Sequence, residues 1–144
     1  MLEGEARVVA GLFSILARDE EQNARPLPMP ACLLAGGETT VTVTGNGKGG
    51  RAQEFTLAAA ARMEDRERSL IFAVGTDGGD GPTEAAGALA LGDTVARARS
   101  LGLDAGRMLD NNDSNSFFRA LGDLIVTGPT LTIVNDIYGV LVIE

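Results

Sequence analysis

Apolar positions recur along this chain in two rhythms. Val8, Leu12, Ile15 and Leu16 repeat at helical spacing, so residues 3–18 are expected to form an amphipathic helix. Glu3 and Glu5 suit its first turn and Arg18 its last, where the helix dipole favours those charges. Residues 19–30 are polar and then carry Pro26, Pro28 and Pro30, which marks a connector. Short apolar runs at 31–35 and 70–74 read as buried strands, and the Thr/Val alternation over 39–44 reads as a strand with one polar face. Phe55, Leu57, Ala58 and Ala61 give a helix over 52–63 a small-residue face that can lie close on a sheet. Residues 84–90 are alanine-rich and weakly patterned.

Asp93 caps a helix that ends at Leu101 before Gly102, and residues 104–110 form a short helical turn. Asn112-Asp113-Ser114 starts another helix through Phe117, Phe118 and Leu121. Segments 123–127, 131–134 and 140–143 read as closing strands, with Gly128-Pro129 as a turn. Strands and helices interleave throughout, which predicts an α/β fold: a layered α/β/α domain with a mixed β-sheet. Residues 1–30 would be the helix and connector, and 31–144 the α/β domain.

Composition narrows the chemistry. The chain has 144 residues, enough for one domain with its own core. Its net charge of −8 disfavours nonspecific nucleic-acid binding, which needs a basic face. No apolar run is long enough to span a bilayer. Histidine is absent, which removes Ser-His-Asp and Cys-His nucleophilic schemes. Acid–base work falls to Asp, Glu, Lys, Arg or Tyr138. Cys32, the only cysteine, lies in an apolar run and reads as a small buried hydrophobe; a single cysteine fits a cytoplasmic home.

Glycine is frequent, 19 of 144 residues, and it concentrates around two loops. Gly75-Thr76-Asp77-Gly78-Gly79-Asp80-Gly81-Pro82-Thr83 follows an apolar strand and places two carboxylates on a permissive backbone. Ligands bind at such strand ends in α/β sheets, although Asp and Gly also serve simple turns. Gly45 to Arg51 precedes a helix, so its backbone N–H groups and the helix dipole suit an anion, with Lys48 and Arg51 adding charge. It lacks the Walker A spacing, but Gly45, Gly47 and Gly50 match Gly-x-Gly-x-x-Gly, which leaves a dinucleotide reading open. A turn with a solvated lysine accounts for the same residues. Glu38 interrupts a strand either as a polar contributor or as a bulge with its carboxylate in water. Asn135 and Asp136 read as turn residues. A basic nest and an acidic loop together are what phosphoryl transfer requires.

At Gly36-Gly37-Glu38-Thr39-Thr40, Gly45 to Glu54, Gly75 to Gly78, Asp80 to Thr83, Ala85-Ala86-Gly87, Asn112 to Ser114 and Leu124 to Thr130 the chain resembles the C-terminal MOFRL domain of the class II glycerate 2-kinases. The resemblance covers nearly the whole chain. It implies one wall of a cleft opposite a larger N-terminal α/β domain, in an enzyme that transfers the ATP γ-phosphate to D-glycerate with Mg²⁺. In that setting Arg51 and Asp77 would be catalytic. Gly45, Gly47, Lys48, Gly49, Gly50, Thr76, Gly78 and Thr83 would bind phosphate or substrate, and Asp77 and Asp80 would hold the metal. The isolated chain would be inactive. The alternatives are a non-catalytic binding or assembly module, self-associating as a homo-oligomer, and an NAD(P)H-dependent hydroxypyruvate reductase, the label many members carry. The sequence departs from the family at Ala52, where Asn is usual, and at Leu131 and Ile133, where Gly and Asn are usual.

Overall fold

A five-stranded sheet in the order β1-β5-β2-β3-β4 organises the computed structural model, which describes residues 1–144. The strands are β1 (Ala31–Gly37), β2 (Ser69–Gly75), β3 (Gly87–Leu91), β4 (Leu124–Ile125) and β5 (Asp136–Val142). The helices are α1 (Ala6–Asn23), α2 (Arg51–Ala60), α3 (Thr94–Ser100), α4 (Ala105–Asp110) and α5 (Ser114–Leu121). The α/β class is as the sequence implied. The sheet's ladders are all antiparallel, and the parallel component expected of a mixed sheet reduces to two isolated bridges, Leu2–Gly37 and Glu5–Thr40.

Alternation along the strands decides where the core lies. Ile71 and Ala73 of β2 pair with Ala90 and Ala88 of β3, and with Val140 and Tyr138 of β5, and all six are fully buried. Against this face pack α1 and α2. Phe55 stands edge-on to Phe13 and Tyr138, with centroids 5.1 and 4.9 Å apart. Burying one such ring contributes about 2–3 kcal/mol. Phe117 and Phe118 of α5 close a second cluster over Ala88 and Ala90. The helices thus gather on one face, and the layering differs from α/β/α: the opposite face of the sheet has no helix over it.

That open face explains one correction. Cys32 is exposed, because it lies on an edge strand and points away from the helices. A second correction concerns α1. Val8, Leu12 and Ile15 are 73, 52 and 53% exposed, and the inward stripe is Ala6, Val9, Ala10, Phe13 and Ala17. Two apolar stripes compete on this helix, and the one rich in alanine lets α1 approach Ala52 and Ala59 of α2 closely.

The expected strand over 39–44 does not form, since side chains take its backbone donors. Thr39 N–H donates to Tyr138, Thr42 N–H to Glu5 and Thr44 N–H to Asn112. The expected strand over 131–134 is likewise irregular. Leu131 has φ +62°, a left-handed conformation no strand tolerates. Conversely, the alanine-rich stretch contains β3, and Asp136 opens β5 instead of ending a turn.

Candidate functional site

The two glycine-rich loops meet. A Cβ on Gly81 would press on the backbone of Gly49 and Gly50, and one on Gly50 would strike Asp80. Both loops lie at the sheet edge where β2 ends and β5 begins, with Gly75 paired to Asp136.

Arg51 opens α2 and reaches across this edge. Its Nε lies 2.6 Å and its Nη2 3.1 Å from the two carboxylate oxygens of Asp136, a bidentate fork, while Nη1 lies 3.2 Å from Glu38. The Asp136 hydrogen bonds, together with the charges of Asp136 and Glu38, push the guanidinium still further above its ordinary range. Asp136 is buried and also receives the Tyr138 hydroxyl at 3.0 Å. Tyr138 in turn lies 3.0 Å from the Thr39 hydroxyl and accepts the Thr39 N–H. Burial pushes the Tyr138 phenol up to about 12, so it stays protonated at neutral pH. A cavity of about 770 Å³ opens beside Arg51, lined also by Glu38, Thr39, Thr40, Gly81 and Asn135.

The acidic loop divides its two carboxylates between different tasks. Asp77 is exposed; one oxygen accepts the Gly79 N–H at 2.8 Å. Asp80 is 5% exposed, and its oxygens accept the N–H groups of Ala52 and Gln53 at 3.0 and 2.9 Å, plus the Gln53 amide. Burial raises the Asp80 carboxyl above its ordinary range, against the pull of those donors. Asp80 therefore caps α2 from outside the helix. The expected sharing of a metal by Asp77 and Asp80 does not fit this geometry, since both Asp80 oxygens are engaged inward. Nor does any group of three or more Asp, Glu, Cys or His side chains form a metal cluster.

The basic loop is also more structural than its composition implies. The N–H groups of Gly45, Asn46, Gly47 and Lys48 donate to Asn112, Asn111 and Asp113. Glycine is needed at Gly47 for close approach, as a Cβ there would collide with Asp113. Only the N–H groups of Gly49, Gly50 and Arg51 are left without a partner in the chain. Lys48 is exposed and makes no ion pair. Thr76 accepts the Val134 N–H and donates to the Asn135 carbonyl, tying the acidic loop to the segment before β5. Gly78 has φ +90° and packs against Gly128. Thr83 donates to the Asp80 carbonyl at 2.8 Å.

Residue-by-residue reading took Asp136 for a turn residue and gave Gln53 and the buried Glu54 no role of their own. Glu54 accepts from Arg7 at 2.6 Å and from Asn112 at 2.9 Å, so it joins α1, α2 and the 112 turn. An acidic residue directly before the alternating run Ile137-Tyr138-Gly139-Val140 was the available signal for Asp136.

The arrangement defines an α/β domain with an arginine at a helix start, paired to Asp136 and Glu38, and an exposed carboxylate at an adjoining strand end. The chain belongs to the MOFRL family, which matches residues 31–136. It is 43% identical to a D-glycerate 2-kinase of Thermotoga maritima, over 94% of this chain and 33% of that protein. It is 44% identical to a glycerate 2-kinase of Pyrococcus horikoshii, over 94% of this chain and 31% of that protein. A crystal structure of glycerate kinase from Thermotoga maritima superposes with a TM-score of 0.96 at 42% identity, covering 99% of this chain and 34% of that one. The chain spans about a third of the length of these relatives and matches their C-terminal portion. A relative from Agrobacterium vitis, 42% identical over 98% of this chain and 33% of that protein, carries the name putative hydroxypyruvate reductase. The geometry does not suit a dinucleotide fingerprint: the Gly-x-Gly-x-x-Gly match follows no strand, and its N–H groups up to Lys48 are engaged.

Proposed function

We propose that this chain supplies the C-terminal wall of a glycerate 2-kinase cleft, and that it is inert without a larger N-terminal domain. The observation that carries the reading is Arg51. It stands at the N-terminus of α2, beside partnerless N–H groups and a cavity, in a chain that matches the C-terminal third of glycerate kinases. Arg51 Nη1 and the N–H groups of Gly49 and Gly50 would hold an anionic oxygen of ATP or of the glycerate carboxylate. Asp77 would orient the attacking glycerate hydroxyl and receive its proton as the new O–P bond forms and the β–γ bridge breaks. Lys48 and Thr83 would sit at the periphery. Mg²⁺ would come with the nucleotide phosphates, with at most one carboxylate from this chain. The reading includes a cytoplasmic site of action. No helix is long and apolar enough to cross a membrane.

The test is a chimera that joins the N-terminal two thirds of the Thermotoga maritima enzyme to this chain, assayed for ATP-dependent phosphorylation of D-glycerate. In an active chimera, Arg51→Ala and Asp77→Ala are each expected to lower kcat/KM by about 100-fold or more. Unchanged turnover in both variants would sink the assignment, and so would steady turnover by the isolated chain.

A further inference from the structure

Two carboxylates line the cavity beside Arg51, Glu3 and Glu38, and the proposed reaction uses neither. Only Glu38 reaches the arginine, 3.2 Å from Nη1. Asp136 already holds Nε and Nη2, so Glu38 takes the last nitrogen of the guanidinium. The trio then carries one net negative charge, at a helix start whose dipole and partnerless N–H groups suit an anion. We propose that Glu38 is an internal competitor for the Arg51 anion site: its carboxylate fills the place of the ligand's anionic oxygen and leaves when a phosphate or carboxylate group arrives. This role rests on Arg51 being the anion-binding group of the proposed function, and it does not require a phosphoryl transfer.

The local structure lets this side chain move while its backbone stays. The Glu38 N–H donates to the Leu2 carbonyl at 2.9 Å, which anchors the chain where β1 ends. The side chain is half-exposed, and Arg51 is its one ion-pair partner. A single, half-exposed contact of this kind is weak in itself. Its hold on Arg51 comes from tethering, which keeps a carboxylate beside Nη1 at an effective concentration of about millimolar or above. A free anion has to exceed that concentration, so Glu38 sets a threshold. Dilute anions stay off Arg51, and a ligand that also grips other groups of the cleft displaces Glu38. Glu3 is exposed, lines the same cavity and makes no ion pair, so it provides the control for charge alone.

Amide NMR titration of the isolated chain with inorganic phosphate, and separately with D-glycerate, tests this. Glu38→Gln keeps the size of the side chain and removes its charge. It is expected to tighten binding of at least one probe by about fivefold to tenfold, read at the Gly49, Gly50 and Arg51 amides. A gain for phosphate supports the proposal and assigns Arg51 to a nucleotide phosphate. A gain for glycerate alone supports it and assigns Arg51 to the substrate carboxylate. Glu3→Gln removes the same charge from the same cavity and is expected to gain less than about twofold. The gain should vanish when Arg51→Ala is added to Glu38→Gln, and the comparison with Glu3 decides even where that double variant unfolds. Equal gains in Glu3→Gln and Glu38→Gln would reduce the effect to general charge and overturn the proposal. So would a gain that survives Arg51→Ala, or no gain with either probe. Turnover in the chimera is a separate readout, so failure here leaves the kinase assignment standing, and an inactive chimera leaves the competitor standing.

Discussion

Raising the pH isolates one buried group, because Tyr138 is the only tyrosine and the chain has no tryptophan. The phenol is fully buried beneath Phe13 and Phe55, and it bridges Asp136 to Thr39. Burial disfavours the phenolate, and the Asp136 carboxylate 3.0 Å away repels it, which is why its pKa rises from 10.0 to about 12. The sign follows from linkage. The folded value lies above the unfolded one, so the stability Tyr138 contributes is complete below pH 10 and is lost as pH rises through about 12. A shift of two units corresponds to about 3 kcal/mol, which would leave in full only once both states have deprotonated. Tyrosinate absorbance near 295 nm, followed alongside circular dichroism, reads this directly. The expected result is a tyrosinate transition displaced well above pH 10, or one that coincides with unfolding. Tyr138→Phe should remove this alkaline loss and lower stability at neutral pH by about 1–3 kcal/mol, since Thr39 N–H loses a buried partner. A transition at pH 10 in protein that keeps its native circular dichroism would refute the reasoning.

Two further substitutions probe the loops around the site. Leu131 is 97% exposed and held at φ +62°, so Leu131→Gly loses no burial and relieves strain. The expected gain is about 0.5–1 kcal/mol, a rise of about 2–4 °C in Tm; a fall in Tm would contradict it. Asp80→Asn keeps the size of the cap but turns an amide group toward the Ala52 or Gln53 N–H, at a cost of about 1–3 kcal/mol in denaturant unfolding. The Asp80 carboxyl is raised in the fold, so its own contribution grows as pH falls toward the ordinary Asp range and is lost as pH rises through the raised value. The stability difference between chain and variant should therefore widen in acid; a pH-independent difference would count against the buried cap.

Local composition was enough to find the two loops, and it was not enough to find what holds them. The apolar runs at 31–35 and 70–74 became β1 and β2, because short apolar runs between turn signals have few other uses. Alanine masked β3, whose Ala88 and Ala90 are small because Leu57 and Phe118 fill the space above them. Leu131 to Val134 looked like a strand by residue type. Its donors instead meet loop atoms, Val134 N–H the Thr76 hydroxyl, and a left-handed Leu131 breaks the run. The α1 register was misread because either of its stripes is apolar, and only the need to lie close to α2 chooses between them. Each of these failures turns on a neighbour distant in sequence.

The same limit shaped the view of Arg51. A glycine-rich approach to a helix start is legible as anion-binding chemistry, yet the carboxylate that grips Arg51 comes from 85 residues further on. With Asp136 and Glu38 both in place, the arginine presents no net positive charge, so an incoming anion must replace one of them. The two are unequal. Asp136 has a side chain 4% exposed, is bound through two contacts and holds Tyr138, while Glu38 is 54% exposed and bound at one nitrogen, 3.2 Å away. Releasing Asp136 would strand a buried carboxylate, which costs several kcal/mol, whereas Glu38 returns to water at little cost. On the proposed reading an anion would therefore enter on the Nη1 side, in place of Glu38, while the Asp136 fork holds the rest of the guanidinium.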